Sequence, residues 1–530
     1  MAAPTTNICM VHDLGRALVA TLGLLIACGD GGNSDGSGAG TGTAPATDSA
    51  SSATDSASSA TDSANPTTSG GGSQSNSDSD APSTGNPSQA EASTAQLDDT
   101  GIADGTDADT DQTKFDLEAD PSDTDDTGGL PPLKGSCRPS EIHGASGGFP
   151  AYTDPNYADF LDKSIAVVTT NAQELPSNHV LHIVDISGPT PPPNLNYAAP
   201  KYRNPNWTQP NLGRIYGLTL DSSGNIYVAA TTVYGPNPSP NKIKKIDRVT
   251  GVITDFAVLP NSGPAFGNLN YDCVSETIYV SNHEDGRIYQ LDMMGQVVST
   301  YRHFNKDVTM GPAADPGEPN GQFTALGDRV WAVQSHAGRL YYSVWNEDGG
   351  RPGPDNEIWS VGYVDEAGIP DPTTAKLEFV APLYLGGQTS NPVSDLSFAA
   401  TGWMLISQRS MNGDNQSGAH QSTTYEFQSM NGVWVNKGTT FIVGELPGSA
   451  AGGVDHDFAE NGYVWMTGDA LDFYTPDVVY GLQGTPHAGG DITVSTLIDM
   501  DDELQDQDKT EQGDVEVPIP GDAMPVPPPQ

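Results

Sequence analysis

Between about residue 160 and residue 500, apolar residues alternate with polar ones in short runs rich in Val, Ile, Tyr, Phe and Trp. Gly, Asn, Asp and Pro break these runs, and no long stretch repeats at the helical period. A period of two between turn residues predicts strands throughout. One frame recurs: an alternating strand, a tight turn near Gly, and a second alternating strand. Gly217-Leu-Thr-Leu-Asp-Ser-Ser-Gly-Asn-Ile-Tyr-Val-Ala229 lies over Asn268-Leu-Asn-Tyr-Asp-Cys-Val-Ser-Glu-Thr-Ile-Tyr-Val-Ser281. The same frame fits Asp395-Leu-Ser-Phe-Ala-Ala-Thr-Gly-Trp-Met-Leu-Ile-Ser407 and Asp455-His-Asp-Phe-Ala-Glu-Asn-Gly-Tyr-Val-Trp-Met-Thr467. Arg329 to Val344 is a weaker fifth copy, and Ile165–Thr169 with Val180–Ile186 a degenerate sixth. Third and fourth strands follow the pairs, as in Lys242–Asp247 with Val252–Phe256, and Arg287–Asp292 with Gln296–Tyr301. Four antiparallel strands repeated at this spacing predict an all-β fold, a β-propeller of six four-stranded blades.

The flanks follow other rules. Residues 29–133 are Ser, Thr, Ala, Gly, Asp and Pro, with Ala-Thr-Asp-Ser-Ala-Ser-Ser at Ala46 repeated at Ala53. Almost nothing there can be buried to offset the entropy of ordering, which predicts a long disordered N-terminal linker. Ahead of it, the apolar run Ala17–Ala27 is too short to span a bilayer, and with Arg16 before it suits the h-region of a secretory signal. Leu25-Ile26-Ala27-Cys28 resembles the lipobox of bacterial lipoproteins. That resemblance implies cleavage before Cys28, acylation of its thiol and a stable anchor in the bilayer. Gly29 after the cysteine points to the outer membrane or cell surface rather than the inner membrane. The expected organisation is a signal peptide over 1–27, a disordered acidic tether over 28–133, a propeller over 134–500 and a disordered acidic, Pro-rich tail over 501–530.

Charge narrows the partners. The net charge is −46, and even 134–500 holds 38 acidic against 19 basic residues. No Lys/Arg run or basic patch is present in the sequence, which argues against nucleic acid as a partner.

Tyr279-Val-Ser-Asn-His-Glu-Asp-Gly-Arg-Ile-Tyr-Gln-Leu-Asp-Met-Met-Gly295 resembles the blade phrase of NHL propellers, and the whole repeat region resembles the SMP-30/gluconolactonase-like propellers. Leu181-His-Ile-Val-Asp-Ile-Ser187 is similar to a bacterial propeller repeat of the LVIVD type. In propellers the first residue of each innermost strand lies near the mouth of a central channel. That column reads Gly217, Asn268, Asp395 and Asp455, and two carboxylates with an amide would make a hard oxygen site for Ca²⁺ or Mg²⁺. The SMP-30-like resemblance implies a metal-dependent hydrolase that polarises a lactone or ester carbonyl. Against it, the family's metal-binding Asp or Asn falls one position earlier, where this chain has Tyr216, Gly267, Ser394 and Val454.

Asp455-His456-Asp457 is a second acid–base candidate, and His283-Glu284-Asp285 reads as a solvated turn. The loops Gly311–Pro319 and Asp348–Asp355 could decorate one face. Cys137 and Cys273 remain as a candidate disulfide in an oxidising compartment. No G-x-S-x-G, H-E-x-x-H, P-loop, Rossmann or C-x-x-C motif occurs. The expected function is a membrane-anchored envelope lipoprotein whose propeller binds an extracellular or periplasmic protein, glycan or small ligand. The alternatives are a metal-dependent lactonase or esterase and a structural envelope component.

Overall fold

The recurring phrases fold as hairpins. In the first, strands Ile215–Leu220 and Ile226–Ala230 pair antiparallel, with Leu218 opposite Val228 and Leu220 opposite Ile226. The turn is held by Asp221, whose carboxylate accepts from the backbone N–H groups of Ser223 and Asn225. This is the self-bonding that makes Asp a turn residue. The computed structural model describes residues 148–518 apart from 172–177, 189–195, 350–353, 385–388, 400–401, 439–440, 447, 458–461, 473–477, 502–503 and 505–508. Cys28, the segments before it and after it to residue 147, and Cys137 lie outside the described residues.

Six small antiparallel sheets form the blades, each built outward from an inner strand. Blades 2 to 6 start from Ile215–Leu220, Phe266–Asp272, Arg329–His336, Val393–Phe398 and Ala450–His456 in chain order. Each inner strand neighbours the next, closing a ring. Blades 3 and 6 gain a fifth strand; in blade 6 it is Asn196–Tyr197, which pairs in parallel with Thr496–Asp499. The fold is a six-bladed β-propeller.

Blade 1 corrects the expected boundaries. Its inner strand is Gln512–Glu516, from the segment expected to be a disordered tail, and it pairs with Ile165–Thr170. Leu181–Asp185 and Lys201–Tyr202 complete the blade. The sixth repeat looked degenerate because its inner strand comes from the far end of the chain. Val515 is the reason the strand stays: it is buried against Ala166, Val168, Val184 and Ile498.

The core is divided among the seams. Six apolar clusters occupy the six slots between neighbouring blades: Leu218 and Val228 pack with Val167 and Ile183 between blades 1 and 2, and Leu269 with Tyr227 and Ile243 between blades 2 and 3. Alternation does the rest, because successive side chains on an inner strand point to opposite sides. Leu218 and Leu220 enter the seam while Thr219 between them turns the other way. Along blade 3 the residues facing the axis are Asn268 and Asn270, which makes the axis polar.

The two described ends share a face. Gly148 donates its N–H to Asp221 O, and Thr153 to Val249 O, both turn residues at the far ends of blade 2 strands. Behind them Tyr152, Tyr157 and Phe160 stack with Tyr202 and Trp207. Val517, just past the last strand, donates to Asp455 near the end of the blade 6 inner strand. The opposite face carries the loops that precede the inner strands, including 311–328, and is called the loop face below.

Candidate functional site

Every inner strand is interrupted near its start. Pairing to the second strand skips between Ile215 and Leu218, Phe266 and Leu269, Val330 and Val333, Val393 and Asp395, Ala450 and Val454, and Gln512 and Val515. A bulge frees backbone groups from the ladder, and buried ones need other partners. In four blades a hydroxyl on the second strand supplies them. Thr169, Ser281, Ser343 and Thr467 accept from the N–H groups of Asp514, Asn268, Ala332 and Gly453 on their own inner strands. They donate to the carbonyls of Tyr216, Trp331, Val393 and Gly513 on the following blade. One hydroxyl therefore closes one bulge and ties two blades.

The residue just before the first apolar position after each bulge faces the axis. That column is Gly217, Asn268, Ala332, Asp395, Gly453 and Asp514. Asn268 and Asp395 are brought together as the repeat alignment implies, with Nδ2 of Asn268 3.1 Å from Oδ1 of Asp395. Asp455 stands apart. The Val393–Phe398 hairpin turns after Phe398 opposite Met404, whereas that of blade 6 turns after His456 opposite Val464. The blade 6 loop is two residues longer, so Gly453 occupies the column and Asp455 lies two residues further along the same face. Gly217 has to be small: a Cβ there would meet Asn268 Cα at 2.7 Å.

Asp514 is the member that sequence reasoning missed. Its charge acts on Asp395 within the buried axis and disfavours the ionisation of a second carboxyl there. Burial raises Asp395 well above the usual carboxylate range, followed by the charges of Asp514 and Glu516. Burial pushes Asp514 and Asp455 each up to about 7.

The remaining oxygens are also engaged. Asp395 Oδ2 accepts from Val454 N–H at 2.8 Å, Asp455 Oδ2 from Val517 N–H at 2.7 Å and Asp514 Oδ2 from Leu218 N–H at 3.1 Å. In each case the donor belongs to the next blade in the ring. The other oxygens of the three acids accept from the residues that follow them, Leu396, His456 and Val515. This donor set does not fit a resident hard cation, which needs ionised oxygens converging on one point. Among the described residues no group of three or more His, Cys, Asp or Glu is placed to hold a metal.

Aromatic side chains cap this cluster on its loop-face side. The Tyr216 hydroxyl of blade 2 reaches across the axis and donates to Ser394 Oγ in blade 5, at 2.9 Å. Tyr216 packs with Trp331, Tyr234, Trp345 and Met411, all buried. Beside them Arg409, fully buried, pairs with Asp469 at 3.0 Å and donates through Nη1 to the carbonyls of Ala451 and Gln512. Asp469 is pushed up to about 7 by burial, against the pull of Arg409.

The other candidates are structural in placement. Ser397 Oγ lies 2.8 Å from Asp455 Oδ1 and 2.9 Å from His456 Nδ1, so serine, histidine and aspartate meet. Asp455 contacts the serine there and the backbone N–H of His456, and burial lowers the imidazole to about 3, which leaves it a weak base. His283-Glu284-Asp285 is not solvated: all three are buried. Glu284 accepts from Ser262 and Gly321 N–H, and Asp285 from the Tyr289 hydroxyl and Arg287 N–H. Two neighbouring loops need those acceptors, which is why a charged tripeptide is drawn inside. Cys273 is buried and disulfide-bonded.

No family model matches the sequence, and no curated protein matches it. Solved structures similar to it include a chain of a nidogen/laminin complex, at 11% identity over 69% of this chain and 100% of that one, TM-score 0.36. The periplasmic gluconolactonase of Pseudomonas aeruginosa matches at 12% identity over 69% and 99%, TM-score 0.36. A Bacteroides caccae protein of unknown function matches at 11% identity over 67% and 99%, TM-score 0.37. The chemistry of the axis is therefore read from this chain's own residues.

Proposed function

We propose that the chain is an envelope lipoprotein, anchored through acylated Cys28, that displays its propeller as a binding module for an extracellular or periplasmic ligand. The observation that supports it is the state of the axis. Its carboxyls are buried and bonded to backbone N–H groups of neighbouring blades, and Tyr216 bridges the space above them. An axis built in this way holds the ring together and leaves recognition to the surface. Both described ends lie on the face opposite the loops, which leaves the loop face free for a ligand.

Two measurements on the full chain test this reading. Cys28→Ala is expected to move the protein from the membrane fraction to the soluble fraction; unchanged membrane association refutes the anchor. Purified protein is expected to retain no stoichiometric Ca²⁺ or Mg²⁺ and to turn over neither lactones nor aryl esters. Retained metal that is lost in both Asp395→Asn and Asp455→Asn, together with lactone turnover, would replace the binding reading with the lactonase one.

A further inference from the structure

On the rim of the loop face, between blades 1 and 2, lies an open cleft of about 610 Å³. Its polar lining comes from Asn178, Gln209, Asn211, Ser239, Lys242 and Lys244, and among the described residues no acidic side chain lines it. That is unusual in a chain with 68 acidic and 22 basic residues. Lys242 and Lys244 are two apart on strand Lys242–Ile246, so their side chains leave the same face, while Lys245 turns the other way onto Tyr227. Both ammonium groups sit 2.7 Å from one carboxylate, Asp255, through its two different oxygens. One negative charge thus balances two positive ones, and each ammonium keeps further N–H donors directed elsewhere. The side-chain amides of Asn178 and Gln209 and the hydroxyl of Ser239 make no hydrogen bond within the described residues. They stand ready for a ligand's hydroxyl groups.

We infer that this cleft binds an acidic saccharide, its carboxylate seated on Lys242 and Lys244 and its hydroxyls on Asn178, Gln209 and Ser239. The volume lies within the usual range for small-ligand clefts, about 300–1,000 Å³, but the lining is polar where such clefts are mostly apolar, which suits a strongly hydrated ligand. The inference rests on the reading of the loop face as a binding surface and names the ligand class for one part of it. Asp255 acts as an internal competitor for the two lysines.

The test is calorimetric titration of the full chain with hexagalacturonate, at low and high salt, beside maltohexaose, inorganic phosphate and a pentaglutamate peptide. Hexagalacturonate is expected to bind, more weakly as salt rises. Lys242→Gln and Lys244→Gln should each raise Kd by about threefold to fivefold, and together by about tenfold. Asp255→Asn should tighten binding, an effect that a merely structural role for the ion pair does not produce, and Lys245→Gln should leave Kd unchanged. Unaltered affinity in the double lysine variant with its thermal midpoint preserved would overturn the inference. So would equal affinity for maltohexaose, or displacement of the saccharide by phosphate or pentaglutamate at equal concentration. Lactone turnover would sink the binding reading while leaving this titration to stand or fall alone.

Discussion

Thr467→Val isolates the tie that holds the closing strand. Thr467 Oγ1 donates to Gly513 O at 2.7 Å and accepts from Gly453 N–H at 2.9 Å, and the residue is fully buried. Valine keeps the shape of threonine, so the substitution opens no cavity; it removes the hydroxyl and leaves one buried N–H and one buried carbonyl without partners. At about 1–3 kcal/mol for each orphaned group, the loss is about 2–6 kcal/mol. With an unfolding entropy of about 2.1 cal/mol/K per residue over roughly 370 residues, that corresponds to a fall of about 3–8 °C in the thermal midpoint. Differential scanning calorimetry of the two proteins under one buffer reads it directly. Ser407→Ala is the matched comparison, because Ser407 occupies the same position in blade 5 but bonds Thr424 within its own blade. It should cost less, about 1 kcal/mol. A Thr467→Val midpoint within about 1 °C of the parent, or a Ser407→Ala effect as large, would refute the claim that second-strand hydroxyls hold the seams.

Three further outcomes are expected. Asp455 and Asp514 are pushed up to about 7, from about 3.9 in an unfolded chain, so the folded state binds more protons across that window. Their contribution is full below about pH 4 and is lost as pH rises through 7, so the thermal midpoint should climb between pH 8 and pH 5; a midpoint that falls over that interval contradicts the protonated axis. Asp469→Asn strands the buried Arg409 charge and should cost about 3–5 kcal/mol in a urea titration, whereas an effect under about 1 kcal/mol would show that the pair contributes little. A chain ending at residue 500 lacks the inner strand of blade 1 and should lose cooperative unfolding, while one ending at residue 518 should retain it; cooperative unfolding of both would contradict the role of Gln512–Glu516 in closing the ring.

What the sequence revealed of this fold follows from how local each signal is. The inner hairpins announce themselves because their alternation and turns, such as Leu218 opposite Val228 around Asp221, are complete within about fifteen residues. Six units could therefore be counted and the column containing Asn268 and Asp395 found. Gln512-Gly-Asp-Val-Glu516 carries a single aliphatic residue among acids and turn formers. Nothing local marks it as a strand; its partner Thr169 lies 345 residues away, and pairing over such a distance leaves no periodic trace. The same gap hid Asp514.

Asp455 went astray for a different reason. Its phrase shares the Asp, the Phe-Ala and the turn Gly of the Asp395 phrase, but similarity of phrase does not fix register when two residues are added to a hairpin loop. A shift of two keeps the side chain on the axis, since the strand period is two, and a shift of one would have buried it in the seam beside Val454. That parity explains why Asp455 could be placed at the wrong height and still on the right face. It also explains what the acid does there: from Gly453's height a carboxylate would meet Asp514 Cα, because a Cβ at Gly453 lies 2.8 Å from it. Two residues further on it clears the closing strand and reaches Val517 N–H instead. In blades 5, 6 and 1 an acid accepts from an N–H of the next blade, and in blade 6 the longer loop selects which N–H that is.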